Sequence, residues 1–86
     1  MQTENNYFDE KGNIINEFSI IKLFDCVGAT RQIKFQLKWI KLVKHEGSLM
    51  WAAFTLNNNS KHYNLLNNFE QYDRKLKHTE IIENPF

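Results

Sequence analysis

From Gln32 to Trp39 the chain alternates without a break: Ile33, Phe35, Leu37 and Trp39 take one parity, Gln32, Lys34, Gln36 and Lys38 the other. A period of two over eight residues marks a strand with one apolar and one polar side, and no other stretch constrains the fold as tightly. A helix competes, because Arg31, Lys34, Lys38, Lys41 and His45 recur at i, i+3, i+7, i+10 and i+14. Wound that way, the segment would bury the amides of Gln32 and Gln36 without partners, at about 1–3 kcal/mol each. The extended reading wins. It predicts that Ile33, Phe35, Leu37 and Trp39 face a core and that the lysines face water.

The alternation slips after Trp39, where Ile40 and Leu42 take the opposite parity. A β-bulge near Lys38–Trp39 accounts for this, as does a strand buried on both faces toward its end. His45-Glu46-Gly47-Ser48 reads as a hairpin turn with Gly47 in the left-handed position. Leu49 to Leu56 returns as a strand that is apolar on both sides, the pattern of a central strand. Upstream, Tyr7-Phe8 runs into a turn at residues 9–13 around Gly12. Residues 14–27 are rich in β-branched and aromatic side chains and read as a strand. A helix capped by Asn16 and stopped by Gly28 is the alternative there.

After the Asn57-Asn58-Asn59 loop, Ser60 is a suitable N-cap, and Leu65, Phe69, Tyr72 and Leu76 recur at helical spacing. Glu70 with Arg74 and Asp73 with Lys77 make i, i+4 pairs, and Arg74, Lys75, Lys77 and His78 suit the last turn of a helix. Thr79 to Ile82 reads as a final short strand. The expectation is an α+β fold: a small antiparallel sheet of three to four strands, with one helix from the C-terminal half packed on one face.

Eighty-six residues make one domain, 1–86, with residues 1–6 expected as a flexible tail. Apolar residues at 42 % and few glycines or prolines exclude a disordered chain. No apolar run approaches the roughly 20 residues that span a bilayer, and the polar stretch Met1 to Asn6 does not read as a signal peptide. With a single cysteine, Cys26, these features point to a cytoplasmic protein without membrane contact.

Motifs for chemistry are absent. The nucleophile candidates Cys26, Ser19, Ser48 and Ser60 lack a glycine-flanked elbow, and His45, His62 and His78 are too far apart in sequence for a local metal site. Three isolated glycines cannot form a phosphate loop. The chain is therefore expected to be no enzyme, with no metal, no cofactor and no small-molecule substrate.

Charge is unevenly spread. Residues 1–30 sum to −3, residues 31–45 to +5 and residues 46–86 to −1. The basic block, with two nearby tryptophans, suggests a binding surface made of Arg31, Lys34, Lys38, Trp39, Lys41, Lys44 and Trp51. Two readings follow. The favoured one is a small regulatory protein that binds another protein, or a second copy of itself, stoichiometrically, because one helix cannot cover both faces of so apolar a sheet. An accessory or inhibitor protein of a bacterium, phage or mobile element fits the motif-poor, Asn-, Lys- and Ile-rich sequence. The alternative is nucleic-acid binding by a basic, aromatic-flanked strand, weakened by a net charge of only +1.

Overall fold

A computed structural model describes residues 3–27, 32–56 and 62–85, and side chains for all of these except 24–27 and 32–34. Among the described residues there are seven strands: β1 (Ile20–Val27), β2 (Gln32–His45), β3 (Ser48–Thr55), β4 (Tyr63–Leu65), β5 (Gln71–Tyr72), β6 (Lys75–Leu76) and β7 (Glu80–Glu83). Five of them form one antiparallel sheet in the order β4-β3-β2-β1-β7, and β5 and β6 form a separate small hairpin. No helix among the described residues is long and apolar enough to cross a membrane.

The fold is thus nearly all sheet, and the expected α+β arrangement with a C-terminal-half helix is overturned. One 3₁₀ turn, Leu66–Asn68, and the β5–β6 hairpin stand where the helix was expected. Asn64, Asn67 and Asn68 are weak helix formers, and Asp73 and Arg74 take positive φ values of 52° and 66°. Two consecutive left-handed residues close a two-residue hairpin whose twist matches its strands. The same charges then pair differently. Glu70 stands across the hairpin from Lys77, with Lys77 Nζ 3.0 Å from Glu70 Oε1, a cross-strand ion pair in place of two helical ones. Leu76 is buried while Tyr72 projects into solvent, so the apparent helical stripe was a coincidence of spacing.

The β2–β3 hairpin closes as expected, at Glu46 and Gly47, both with positive φ. Pairing runs unbroken from His45↔Ser48 to Lys38↔Thr55, and β1 pairs with β2 from Ile20↔Trp39 to Val27↔Gln32. β2 therefore carries no bulge. It is one 14-residue strand that keeps a single phase.

That phase decides which side faces the core. Ile40 and Leu42 point inward, onto Ile21, Leu23, Trp51 and Ala53. Two segments cover this inner side. Residues 3–19 contribute Tyr7 and Ile15, and residues 66–79 contribute Leu66, Phe69 and Leu76. The N-terminal segment is stitched down along its length. Phe8 exchanges backbone bonds with the β6 region, Glu10 N–H donates to the Thr79 carbonyl, and Leu42 N–H donates to Glu17 Oε2 at 3.1 Å.

Glu4 anchors the start of that segment at the edge of β3. The β3–β4 ladder ends at Ala52, and beyond it the backbone N–H of Trp51 donates to Glu4 Oε1 at 3.2 Å. The indole N–H of Trp51 donates to the Glu4 carbonyl at 3.3 Å, and the Tyr7 hydroxyl donates to Glu4 Oε2 at 3.1 Å. Arg74 stacks its guanidinium 4.0 Å from the centre of the Tyr7 ring. Burial, and after it the Glu4 carboxylate, push the Tyr7 phenol above its ordinary pKa.

Candidate functional site

An unbroken strand with Ile40 and Leu42 inward must turn Trp39, Leu37 and Phe35 outward. The two kinds of side chain in β2 do sort onto opposite sides, but the orientation is the reverse of the one expected. The apolar side of residues 35–39 faces away from the core, and Lys38 faces into it. The second half of the strand wins because Ile40 and Leu42 meet Trp51, Ala53 and the two covering segments, and a one-residue slip would expose them all.

The proposed basic patch is divided accordingly. Lys38 is 6 % exposed, and its ammonium donates to Thr55 Oγ1 at 3.0 Å. Trp51, also 6 % exposed, belongs to the core and is held by Glu4. Neither can serve as a contact residue. Lys41 is exposed on the outer side of the sheet, whereas Lys44, of the opposite parity, is exposed at the end of the inner side. The side chain of Lys34 lies outside the described residues; its backbone pairs with that of Asp25. Arg31 lies wholly outside them. Of the seven residues, Trp39 and Lys41 share the outer face.

What gathers on that face is a row of rings. Trp39 stacks on Phe54 across β2 and β3, with centroids 4.7 Å apart and planes 25° apart. On its other side stands Phe18, nearly parallel at 6.4 Å. Phe54 continues the row to Tyr63 of β4 at 5.2 Å. Cross-strand register builds this order: Trp39↔Phe54 and Phe54↔Tyr63 are direct partners, and aromatic pairs in that position attract. Phe35 and Leu37 extend the apolar surface along β2, with Lys22 Nζ 4.6 Å above the Phe35 ring.

Phe18, Phe54 and Tyr63 were not among the expected contact residues, although Phe18 and Phe54 belong to the surplus of apolar side chains that suggested a partner. For Phe54 a signal existed: a two-residue turn at Glu46-Gly47 sets the register, and counting back from it brings residue 54 opposite residue 39. Phe18 carries no such signal, since it enters the row from an irregular segment with φ 70°.

The rim of the face near β7 is polar. A depression of about 230 Å³ there is lined by residues including Asp9, Glu10, Lys22, Phe35, His78 and Glu80. His78 Nδ1 lies 3.2 Å from Glu10 Oε2 at the surface. Among the described residues, no three His, Cys, Asp or Glu side chains come together as a metal-ligand set. Ser19, one of the nucleophile candidates, is buried and donates to Asn84 Oδ1 at 2.6 Å. The side chain of Cys26, and Ser60 entirely, lie outside the described residues.

The sequence matches no protein-family model, and neither a curated protein nor a solved structure matches it. Function is therefore read from the face itself.

Proposed function

We propose that this chain is a small binding protein that docks a protein, either another chain or a second copy of itself, stoichiometrically on the outer face of its sheet. The observation that carries this reading is the exposed apolar surface that the described residues of β2–β4 and Phe18 present on the outer side, with the ring row at its centre and Phe35 and Leu37 beside it. A sheet buries one side against its own covering segments, and an equally apolar second side calls for a partner. Aromatic side chains at the centre and charges at the rim are the anatomy of a protein interface. A regulatory role, as an accessory or inhibitor protein that acts in the cytoplasm by covering a surface, fits such a device, because covering needs shape and no catalytic group.

The same geometry favours protein over nucleic acid. Base stacking needs a free ring face, and both faces of Trp39 have aromatic neighbours. Phosphate contacts need clustered cations, and among the described residues Lys41 and Lys22 stand apart while Lys38 is buried.

The test compares the wild type with Leu37→Asp, a change at an exposed position that leaves the core untouched. Cross-linking in a cell extract should join a protein, another chain or a second copy, to the wild type and fail with the variant. Labelled single-stranded DNA and RNA should show no rise in anisotropy at low salt. Oligonucleotide binding that collapses as salt rises, and that Lys41→Glu abolishes while Leu37→Asp does not, would refute the protein reading in favour of its alternative.

A further inference from the structure

We infer that the outer face is covered by a second copy of this chain, as a two-fold sandwich of two five-stranded sheets. This rests on the docking reading above and names the occupant. Three properties of the face point to a copy.

The first is area. Phe18 and Phe35 are each 52 % exposed, Leu37 46 % and Ile82 51 %. At roughly 200 Å² for a fully open phenylalanine ring, and somewhat less for leucine or isoleucine, these four side chains open on the order of 350 Å². The partly exposed Trp39, Val43, Met50, Phe54 and Tyr63 enlarge the footprint toward the approximately 800 Å² per partner that a standard interface takes. A small peptide would leave much of this uncovered.

The second is charge. Lys22 and Lys41 on this side are matched in number by Glu80 and Glu83, which register with Lys22 and Ile20. All four are exposed. Among the described residues these four charges balance, with the lysines on β1 and the central strand β2 and the glutamates on the edge strand β7. The face therefore does not repel its own copy, whereas a nucleic acid or an acidic protein would find no net attraction.

The third is shape. Two sheets stack face to face, about 10 Å apart and about 30° from parallel, when both carry the same twist. A second copy supplies an identically twisted sheet by construction, and a two-fold axis in the interface brings the same residues of each chain into play.

Light scattering coupled to gel filtration, run over a wide range of protein concentrations and at low and high salt, tests this. The wild type should move from monomer to dimer mass as concentration rises, and the dimer should persist or tighten at high salt, as apolar contact does. Leu37→Asp should weaken the dimer by at least about 30-fold, the loss expected at a central contact, with an unchanged far-ultraviolet spectrum to show that it folds. Tyr72→Asp, on the hairpin that covers the opposite side of the sheet, should dimerise like the wild type. A monomer at every concentration overturns the inference, as does a dimer indifferent to Leu37→Asp. In the first case the docking reading is judged separately: Leu37-dependent cross-linking to another protein keeps it, and its absence removes both.

Discussion

Removing the Glu4 carboxylate should cost this protein a large part of its stability, although the side chain belongs to no strand of the sheet. In Glu4→Ala, the backbone N–H of Trp51 and the hydroxyl of Tyr7 lose the acceptors they reach at 3.2 and 3.1 Å. Trp51 and Tyr7 are both buried, so water replaces the lost acceptors poorly. Each stranded donor costs about 1–3 kcal/mol. Arg74 lies 3.9 Å from the same carboxylate and is partly solvated, so that pair adds little. The expected loss is about 2–4 kcal/mol, against a total of about 4–13 kcal/mol for a chain of this length. The midpoint of thermal unfolding should fall by on the order of 10–25 °C. Glu4→Gln keeps one carbonyl oxygen and should lose about half as much. Asn5→Ala, a neighbour whose side chain is exposed, should stay within about 0.5 kcal/mol of the wild type. Urea denaturation followed by tryptophan fluorescence measures all three. A loss below about 0.5 kcal/mol for Glu4→Ala, or equal losses for Ala and Gln, would show that the carboxylate does not stand in for the missing strand.

Three further outcomes are expected. The raised pKa of Tyr7 means that the fold holds the phenolic proton more tightly than the unfolded chain does. Its contribution is therefore complete below about pH 10 and is lost as pH rises through the raised value. Tyr7→Phe should be about 1 kcal/mol less stable at neutral pH and should flatten the alkaline limb in denaturation curves taken across pH. Lys38→Met combined with Thr55→Val replaces a buried ammonium that has a hydroxyl and no carboxylate partner among the described residues. Burial of such a charge is unfavourable, so urea denaturation should find the double variant as stable as the wild type or more so, by up to about 2 kcal/mol. Gly47→Ala should cost about 1–2 kcal/mol in the same assay, all of it conformational, because φ is +84° and the added methyl meets no atom within 4 Å.

The β2–β3 hairpin was legible because two local signals agree: strict alternation on one side, and a left-handed glycine in a two-residue turn on the other. The strand at the C-terminal end was legible from its β-branched residues, Thr79, Ile81 and Ile82. The stretch between them was not. Leu65, Phe69, Tyr72 and Leu76 satisfy a helical period, and Glu70, Asp73, Arg74 and Lys77 satisfy helical charge spacing. Yet the register of the β5–β6 hairpin pairs Glu70 with Lys77 equally well, and spacing alone cannot choose between them. The left-handed conformations of Asp73 and Arg74 chose. The candidate site inverted for a different reason. Alternation identifies two sides of a strand but never says which one is inside. In β2 that was settled by Ile40 and Leu42, through contacts with Trp51 and with covering segments far away in sequence. Lys38 was pulled inward by its neighbours' burial and not by any preference of its own.

Backbone amides from Leu23 to Val27 and from Gln32 to Leu37 lie beyond the reach of β7 and β3, flanked by one strand each among the described residues. A two-stranded ribbon by itself is marginal in water. Deuterium uptake should begin in this overhang and travel inward, while Ile40 and Ala53 exchange only when the whole sheet comes apart. A chain laid across Leu37 would slow that first uptake, so one labelling experiment would report both how the ribbon breathes and whether its face is occupied.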